Sequence, residues 1–170
     1  MKTLFLTVFL SLSIVSGFAQ EKTKKQLKEE QKLAKQNEIA ALLESKEFKF
    51  EANMAYPQGT RSVDLTTNPN FLKFEKDSIK SEMPFFGTAY SGVGYNSTNG
   101  GLYFKGNIQN YSSVKDDKSY VIKCSINEKT VSYNMILTVF LEGNASLTIT
   151  ASNRSTISYR GKIYKLKKAK

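Results

Sequence analysis

The stretch VSYNMILTVFLEGNASLTITA, residues 131–151, carries the best-specified strand pattern of the chain. In its first half, alternate positions carry large apolar side chains: Tyr133, Met135, Leu137, Val139 and Leu141. This period of two is that of a β-strand, and Glu142-Gly143-Asn144 then turns the chain into a second strand with Ala145, Leu147 and Ile149 in phase. The other face of the first strand also carries bulk, at Ile136 and Phe140. We therefore predict that it is a central strand of a sheet.

Further short strand patterns fill most of the chain around this hairpin. They are predicted at Phe48 to Met54, Ser62 to Thr66, Phe71 to Glu75, Ser78 to Met83, Gly101 to Lys105, Ile108 to Tyr111, Ser119 to Ile126 and Thr156 to Tyr164. A turn is predicted at Tyr56-Pro57-Gln58-Gly59 after the first of these strands. The later links are hairpin-like: Asn68-Pro69-Asn70, Lys76-Asp77, Asp116-Asp117-Lys118 and Asn127-Glu128-Lys129. Many short strands without intervening helices predict an antiparallel sheet, either a sandwich or a strongly curled half-barrel.

The segment before the strands has a different character. Residues 20–45 contain no Gly or Pro, are rich in Lys, Glu, Gln, Ala and Leu, and place apolar side chains at helical spacing toward their end. Sustained heptads, which a coiled-coil partner would require, are missing. We predict a charged helix whose last turns pack on the sheet, and hence an α+β fold that is mainly antiparallel β.

The first 19 residues are typical of a secretory signal peptide. Lys2 is followed by an apolar run from Leu4 to Val15, and Gly17-Phe18-Ala19 places small residues where a signal peptidase cleaves. The run is shorter than the roughly 20 apolar residues of a transmembrane helix. We therefore predict cleavage after Ala19, a mature chain that begins at Gln20, and export from the cytoplasm.

The formal net charge of +10 is unevenly distributed along the chain. Residues 51–159 are nearly neutral, whereas Arg160 to Lys170 hold six basic residues and no acidic one. A nucleic-acid interface needs a basic face interleaved with aromatic residues, and no such block occurs in the interior. The pattern indicates no nucleic-acid partner and, for the basic tail at 165–170, at most a peripheral contact with an anionic membrane surface.

The sequence contains few residues of the types that catalysis requires. The chain has no His and a single Cys124, so the usual zinc ligands and the imidazole base of a serine or cysteine nucleophile are missing. Cys124 alternates in phase with Tyr120, Ile122 and Ile126, which predicts a core position. An uncharacterised hydrolase with paired carboxylates is the remaining enzymatic alternative, although no acidic pair stands out by its spacing. We predict a noncatalytic protein without metal or cofactor.

A glycine-rich loop is the first candidate for binding. Gly87 to Gly101 holds five of the ten glycines and follows Pro84-Phe85-Phe86. A flexible loop with aromatic residues can line the mouth of a ligand site, which makes candidates of five aromatic side chains: Phe85, Phe86, Tyr90, Tyr95 and Tyr103. The structural alternative is a long turn whose tyrosines fold back onto the sheet.

Asn153-Arg154-Ser155 is the second candidate, because the chain has only three arginines against 22 lysines. The planar guanidinium group suits carboxylate or phosphate in a way that lysine does not. A ligand-binding role for Asn153 and Arg154 competes with a structural one. In the structural role, Arg154 would occupy a hairpin corner and bind backbone carbonyls or an acid such as Asp64 or Glu82.

Four ordered motifs resemble the DUF4251 family of exported Bacteroidota proteins. They are Phe48-Lys-Phe50-Glu-Ala52-Asn53-Met54-Ala55, Met83-Pro84-Phe85-Phe86-Gly87-Thr88-Ala89-Tyr90, Gly100-Gly101-Leu102-Tyr103-Phe104 and Ser152-Asn153-Arg154-Ser155-Thr156-Ile157-Ser158-Tyr159-Arg160-Gly161. The resemblance spans about Ile39 to Ile163. It implies a periplasmic or outer-envelope location and no established biochemical activity. The family often has Arg where this chain has Thr88, so no role of that arginine can be carried over.

These observations predict four segments: a signal peptide at 1–19, the charged helix at 20–45, a β-domain at 46–164 and the basic tail at 165–170. The function that they favour is a noncatalytic envelope protein that binds a small apolar or aromatic ligand, or a protein partner, through the glycine- and tyrosine-rich loop. The alternative is a structural or assembly subunit of an envelope complex. A cavity lined by the candidate aromatic residues would favour binding, and an exposed apolar stripe over a solid core would favour assembly.

Overall fold

The structure, a computed structural model, describes residues 24–90 and 100–166 of the 170-residue chain. The predicted signal peptide, the candidate Tyr95 and residues 167–170 of the predicted tail lie outside the described residues. The chain divides into two compact units, Met1–Leu33 and Ala34–Lys170. Of the first unit, the structure describes a helical stretch from Lys24 to Leu33, whose residues are all exposed.

The described residues form one helix and ten strands, in the order that the sequence predicts. Helix α1 spans Lys24–Ser45. The strands are β1 Glu47–Pro57, β2 Val63–Asp64, β3 Phe71–Glu75, β4 Ser78–Met83, β5 Leu102–Asn107, β6 Gln109–Lys115, β7 Ser119–Glu128, β8 Val131–Phe140, β9 Asn144–Ala151 and β10 Arg154–Lys165. The strand β1 extends past the turn predicted at Tyr56, and the turn follows at Gln58 and Gly59, where Gly59 has φ +79.

All ten strands belong to one antiparallel sheet in the order β5-β4-β3-β1-β10-β9-β8-β7-β6, with β2 beside β1. The strand β8 lies between β7 and β9, so its predicted central position is confirmed. Its outward Ile136 and Phe140 are nevertheless 44% and 42% exposed, because no second layer covers that face in the described residues. The α+β fold with a curled sheet is confirmed, and the sandwich alternative is wrong.

The sheet curls because β5 and β6 are nearly one bent strand. Only Ile108 separates them, yet β5 pairs with β4 at one end of the sheet and β6 pairs with β7 at the other. Across the interior, the ring of Phe104 on β5 stacks on the ring of Tyr133 on β8 with centroids 4.1 Å apart. The sheet therefore forms a nearly closed barrel around its own apolar face.

The link predicted as a hairpin at Asn68-Pro69-Asn70 is wrong. The strands β2 and β3 do not pair with each other, since both run antiparallel to β1 along the same edge. They are two pieces of one interrupted strand, and residues 65–70 leave the sheet between them. At this gap the side chain of Asn70 takes the place of a strand: its Oδ1 accepts from the Ala52 N–H at 2.8 Å, and its Nδ2 donates to the Ala52 carbonyl at 3.0 Å.

The second half of α1, within the Ala34–Lys170 unit, closes one end of the barrel. Ile39 and Leu43 are buried, and Ile39 packs against Gly143 in the β8–β9 turn. Just after the helix, the Lys46 carbonyl accepts a hydrogen bond from Lys76 N in the β3–β4 turn at 2.9 Å. Among the described residues, no helix combines the length and apolar character needed to cross a membrane.

The opposite end of the barrel is called the mouth here. There β4 ends at Met83, β5 begins at Leu102, and a short turn joins Ala151 of β9 to Arg154 of β10. The described part of the glycine-rich loop and the Asn153-Arg154-Ser155 motif therefore come together at the mouth, although more than 50 residues separate them in the chain.

Candidate functional site

At the mouth, backbone hydrogen bonds join the start of the glycine-rich loop to the start of β10. Tyr90 N donates to the Asn153 carbonyl at 2.8 Å, and Ser155 N donates to the Thr88 carbonyl at 2.9 Å. Between these bonds, Ala89 forms an isolated antiparallel bridge with Arg154. The segment after Gly87 is thus held by backbone hydrogen bonds at a fixed register, which is how a loop is anchored on a rigid scaffold.

Arg154 holds the other end of the same loop. Its Nη1 donates to the carbonyls of Gly100 at 3.1 Å and Gly101 at 2.9 Å, while its Nε donates to Asn153 Oδ1 at 3.3 Å. The guanidinium carbon lies 5.0 Å from the centroid of the Phe85 ring, a cation–π arrangement. One side chain therefore connects the residues on both sides of the loop, and only 7% of it is exposed.

Two glycines at the mouth are required by close packing. A Cβ at Gly87 would lie 2.8 Å from the Phe85 ring and 2.5 Å from Ser155 Oγ. A Cβ at Gly101 would overlap the Tyr103 ring and the Met83 carbonyl. The glycines of this loop thus let aromatic rings lie directly against the backbone, in addition to giving the loop freedom to turn.

The candidate aromatic residues fall into two groups. Phe85 and Phe86 are half-buried and pack against the core. Tyr90 and Tyr103 are 69% and 55% exposed, so neither ring is folded back into the core. Tyr90 is tied through its backbone to Asn153, and the Tyr103 ring lies against Gly101, to which Arg154 binds. Tyr95 lies outside the described residues.

Two buried tyrosines complete the mouth, and no sequence motif predicted their place there. The Tyr159 hydroxyl donates to the Pro84 carbonyl at 2.6 Å, and Tyr133 lies on β8 under Phe104. Burial raises the pKa of both phenols, and the positive charge of Arg154 opposes that rise in each. Strand alternation predicts that both side chains point inward, but only the closed sheet shows that they lie near Arg154.

The acid partners proposed for Arg154 are not used. Asp64 is exposed, and its Oδ1 accepts hydrogen bonds from Thr66 N and Thr66 Oγ1, which lower the pKa of its carboxyl group. Glu82 forms an ion pair with Lys80 at 2.6 Å. Among the described residues, no carboxylate forms an ion pair with Arg154. The backbone-carbonyl alternative is the one that the structure shows.

The groups needed for covalent or metal chemistry are not assembled among the described residues. Cys124 is buried in the core as predicted, and desolvation raises the pKa of its thiol to about 12. The described ranges contain no group of three His, Cys, Asp or Glu side chains arranged to hold a metal ion. What the mouth offers is hydrogen-bond donors, one guanidinium charge and exposed aromatic surface.

Two clefts lie away from the mouth. One, of about 490 Å³, lies over the gap between β2 and β3 and is lined by β1, residues 65–70 and β10. The other, of about 530 Å³, lies between the second half of α1 and the end of β10. Neither is lined by Phe85, Phe86, Tyr90 or Tyr103, so the cavity that would favour ligand binding at those residues is not among them.

Comparisons with known proteins show the family to which this chain belongs. The family described as "Domain of unknown function (DUF4251)" matches residues 30–163, and this chain belongs to it. A crystal structure of a DUF4251 family protein from Bacteroides eggerthii DSM 20697 is similar in fold, with a TM-score of 0.60 and 22% sequence identity, over 78% of this chain and 88% of that one. No protein with a curated description matches the chain. The family resemblance read from the motifs is thereby confirmed.

Proposed function

We propose that this protein is an exported, noncatalytic binding protein of the periplasm or outer envelope. It takes a small apolar or aromatic ligand, or a protein partner, at the barrel mouth. The features that support export are the charged start, apolar run and small-residue site within residues 1–19. The features that support binding rather than catalysis are the lack of His in the chain and the burial of its one cysteine.

The observation that carries the binding proposal is the position of Arg154. By holding Gly100 and Gly101 while its backbone bridges to Ala89, it fixes both sides of the loop on the rigid barrel. Two exposed tyrosines, Tyr90 and Tyr103, flank that anchor. Tyrosine combines large contact area with few rotatable bonds, so exposed tyrosines on a rigid support are favourable for recognition.

The test uses the full chain expressed in its own host with both exposed tyrosines replaced, Tyr90→Ala and Tyr103→Ala. Gently purified protein is examined by native mass spectrometry, and photo-crosslinking in the intact envelope identifies protein partners. We expect the unmodified chain to retain a ligand or a partner, and the double variant to lose most of it.

The matched control is Tyr56→Ala with Tyr164→Ala, since these tyrosines are also partly exposed, at 37% and 43%, and lie on strands β1 and β10. The control variant should keep the bound mass and the crosslinks. Equal retention by all three proteins would show that the mouth is not the binding site.

A second function, that of an assembly subunit, is favoured by the outer face of β6 to β8. Val114, Ile136 and Phe140 are exposed there, with fractions of 62%, 44% and 42%. The strand pairing sets Val114 opposite Val121 and Val121 opposite Thr138, which lies between the two β8 residues. Exposed apolar side chains that share one face of a sheet can be covered by another protein.

Replacing Ile136 and Phe140 by Ser distinguishes the two functions. If the protein works as an assembly subunit, the substitutions should release it from a defined oligomer or heterocomplex, as measured by native mass spectrometry of the envelope fraction. If the mouth is the functional surface, the same variant should keep the ligand or partner that Tyr90→Ala and Tyr103→Ala remove.

A further inference from the structure

The charge of Arg154 has no counter-charge in the described part of the protein. The side chain is 7% exposed, and no described carboxylate forms an ion pair with it. The sequence of residues 91–99, Ser-Gly-Val-Gly-Tyr-Asn-Ser-Thr-Asn, contains no Asp or Glu. A buried charge is ordinarily paired, because its desolvation is costly. A bound anion would supply the missing partner.

The hydrogen bonds of the guanidinium leave one nitrogen available. Nε donates to Asn153, and Nη1 donates to Gly100 and Gly101, whereas Nη2 donates to no described residue. Every fully buried side-chain nitrogen or oxygen of the described residues has a hydrogen-bond partner. Nη2 is therefore not fully buried, and its two N–H groups are the donors of the guanidinium that remain for a ligand.

The plane of the guanidinium is already set before any ligand arrives. The ring of Phe85 lies against the group at 5.0 Å, and three hydrogen bonds hold its other nitrogens. A donor that is fixed in advance loses little conformational entropy when it binds an oxyanion. The nearby Tyr90 and Tyr103 are the exposed aromatic surface on which the rest of such a ligand would lie.

We propose that the mouth binds small organic anions, with the carboxylate or phosphate of the ligand on Arg154 Nη2 and its apolar part against the aromatic side chains. This inference rests on the proposed binding function and specifies its ligand class. A purely structural role for Arg154 would need the two carbonyl contacts and Phe85, but it would give no reason for Nη2 to donate to no described residue.

The test compares three probes that share a benzene ring: benzoate, phenyl phosphate and the uncharged benzamide. Each is titrated into the full chain labelled with ¹⁵N, and the arginine Nε–H signals are followed by NMR. The chain has three arginines, Arg61, Arg154 and Arg160, so single Gln substitutions assign the signals. We expect benzoate or phenyl phosphate to shift the Arg154 signal. We also expect the anions to bind at least about tenfold more tightly than benzamide, because the negative charge of the acceptor makes the hydrogen bond more favourable by an amount equivalent to about tenfold in affinity.

The variant Arg154→Gln keeps amide donors for the two carbonyls but removes the charge, and we expect it to lose the preference for the anionic probes. Arg160→Gln is the matched control, because Arg160 lies on the same strand, is exposed, and stacks on Tyr56 instead. Thermal unfolding shows whether each variant is folded. The comparison of benzoate with benzamide on the unmodified chain decides the question even if Arg154→Gln does not fold.

The outcomes separate this inference from the binding function on which it rests. Equal affinity for benzoate and benzamide at the mouth would overturn the anion inference and leave the binding function standing. An absence of any shift at Arg154 with either anion would also overturn it. The response of phenyl phosphate relative to benzoate then tells whether phosphate or carboxylate is the preferred group.

Discussion

At the scale of single residues, two buried polar side chains take the place of missing strands. Asn70 satisfies the backbone of Ala52 at the gap between β2 and β3, and Arg154 satisfies the carbonyls that lead into β5. A backbone polar group that is buried without a partner costs stability, so each side chain is required where the sheet is incomplete. The sequence analysis offered backbone carbonyls as one alternative for Arg154, but which carbonyls it binds, and the role of Asn70, depend on strand neighbours that are distant in the chain.

Replacing Asn70 by Ala should lower the free energy of unfolding by about 1–3 kcal/mol, because the Ala52 N–H and carbonyl lose their partners. Urea unfolding monitored by circular dichroism measures the change. Asn68→Ala is the control, since the Asn68 side chain is exposed and its carbonyl, which accepts from Asn70 Nδ2 at 2.9 Å, remains. Similar unfolding midpoints for the two variants would contradict the role assigned to Asn70.

Cys124 should be unreactive toward thiol reagents at pH 8 in the folded protein and react at once in denaturant. Burial raises the pKa of its thiol from 9.0 to about 12, so the folded state keeps the thiol protonated. The unfolded chain releases that proton first as the pH rises. The contribution of Cys124 to stability should therefore be lost between pH 9 and about 12, and Cys124→Ala should make the stability less dependent on pH in that window. Rapid labelling of the folded protein would show that the thiol is accessible.

At the scale of elements, helix α1 has two parts with different environments. The sequence predicts that only its last turns pack on the sheet, and the buried residues Ile39 and Leu43 agree with that prediction. Leu27, in the first unit, is 45% exposed. The apolar spacing thus identified the packing residues, because a helix buries the face on which apolar side chains recur.

Ile39→Ala should lower the free energy of unfolding by about 2–5 kcal/mol, since it removes a buried side chain that packs at Gly143. Leu27→Ala should change it by no more than about 0.5 kcal/mol, as expected of an exposed position. Both variants are measured by urea unfolding. If Ile39→Ala had no greater effect than Leu27→Ala, the helix would not contribute to the core as described.

The interrupted strand is the element that local sequence described incorrectly. The residues of Asn68-Pro69-Asn70 are those of a tight turn, and a turn between two strands usually makes a hairpin. Here the strands on either side, β2 and β3, both pair with β1. At the turn residues the chain leaves the sheet after β2 and returns to it at β3. Turn chemistry specifies a local bend, whereas the pairing of the flanking strands depends on a third strand distant in sequence.

At the scale of the whole molecule, barrel closure decides what lies at the mouth. The bend between β5 and β6 brings opposite ends of the sheet together and places Phe104 on Tyr133. The hairpin that carries Arg154 and the loop that begins at Gly87 then lie at the same end of the barrel. The surface on which the proposed function depends is thus a product of the sheet's curvature.

Export predicts a measurable processing event. The chain purified from the envelope of its host should begin at Gln20, and its intact mass should be that of residues 20–170. Replacing Ala19 by Arg should block cleavage, because the peptidase requires a small residue there, and the longer precursor should accumulate. Recovery of the full-length chain from the cytoplasm would contradict export.

Local sequence patterns were enough to predict the helix, nearly every strand, the antiparallel class, the burial of Cys124 and the family. These features follow from motifs and from local periodicity. The spacing of apolar side chains over a few residues already distinguishes a helix from a strand and predicts the buried face. The motifs also pointed to Arg154 and to aromatic residues around Gly87 and Gly101, which lie together at the mouth, and their role in binding stays a prediction.

How the helix and strands pack together became known only from the folded structure. It showed one nearly closed barrel in place of a sandwich, one interrupted strand in place of a hairpin, and a guanidinium that binds Gly100 and Gly101 and no described acid. The closed sheet also places Tyr133 and Tyr159 at the mouth near Arg154. Strand order and curvature depend on contacts between residues far apart in the chain, and the local sequence pattern of each strand is compatible with several such arrangements.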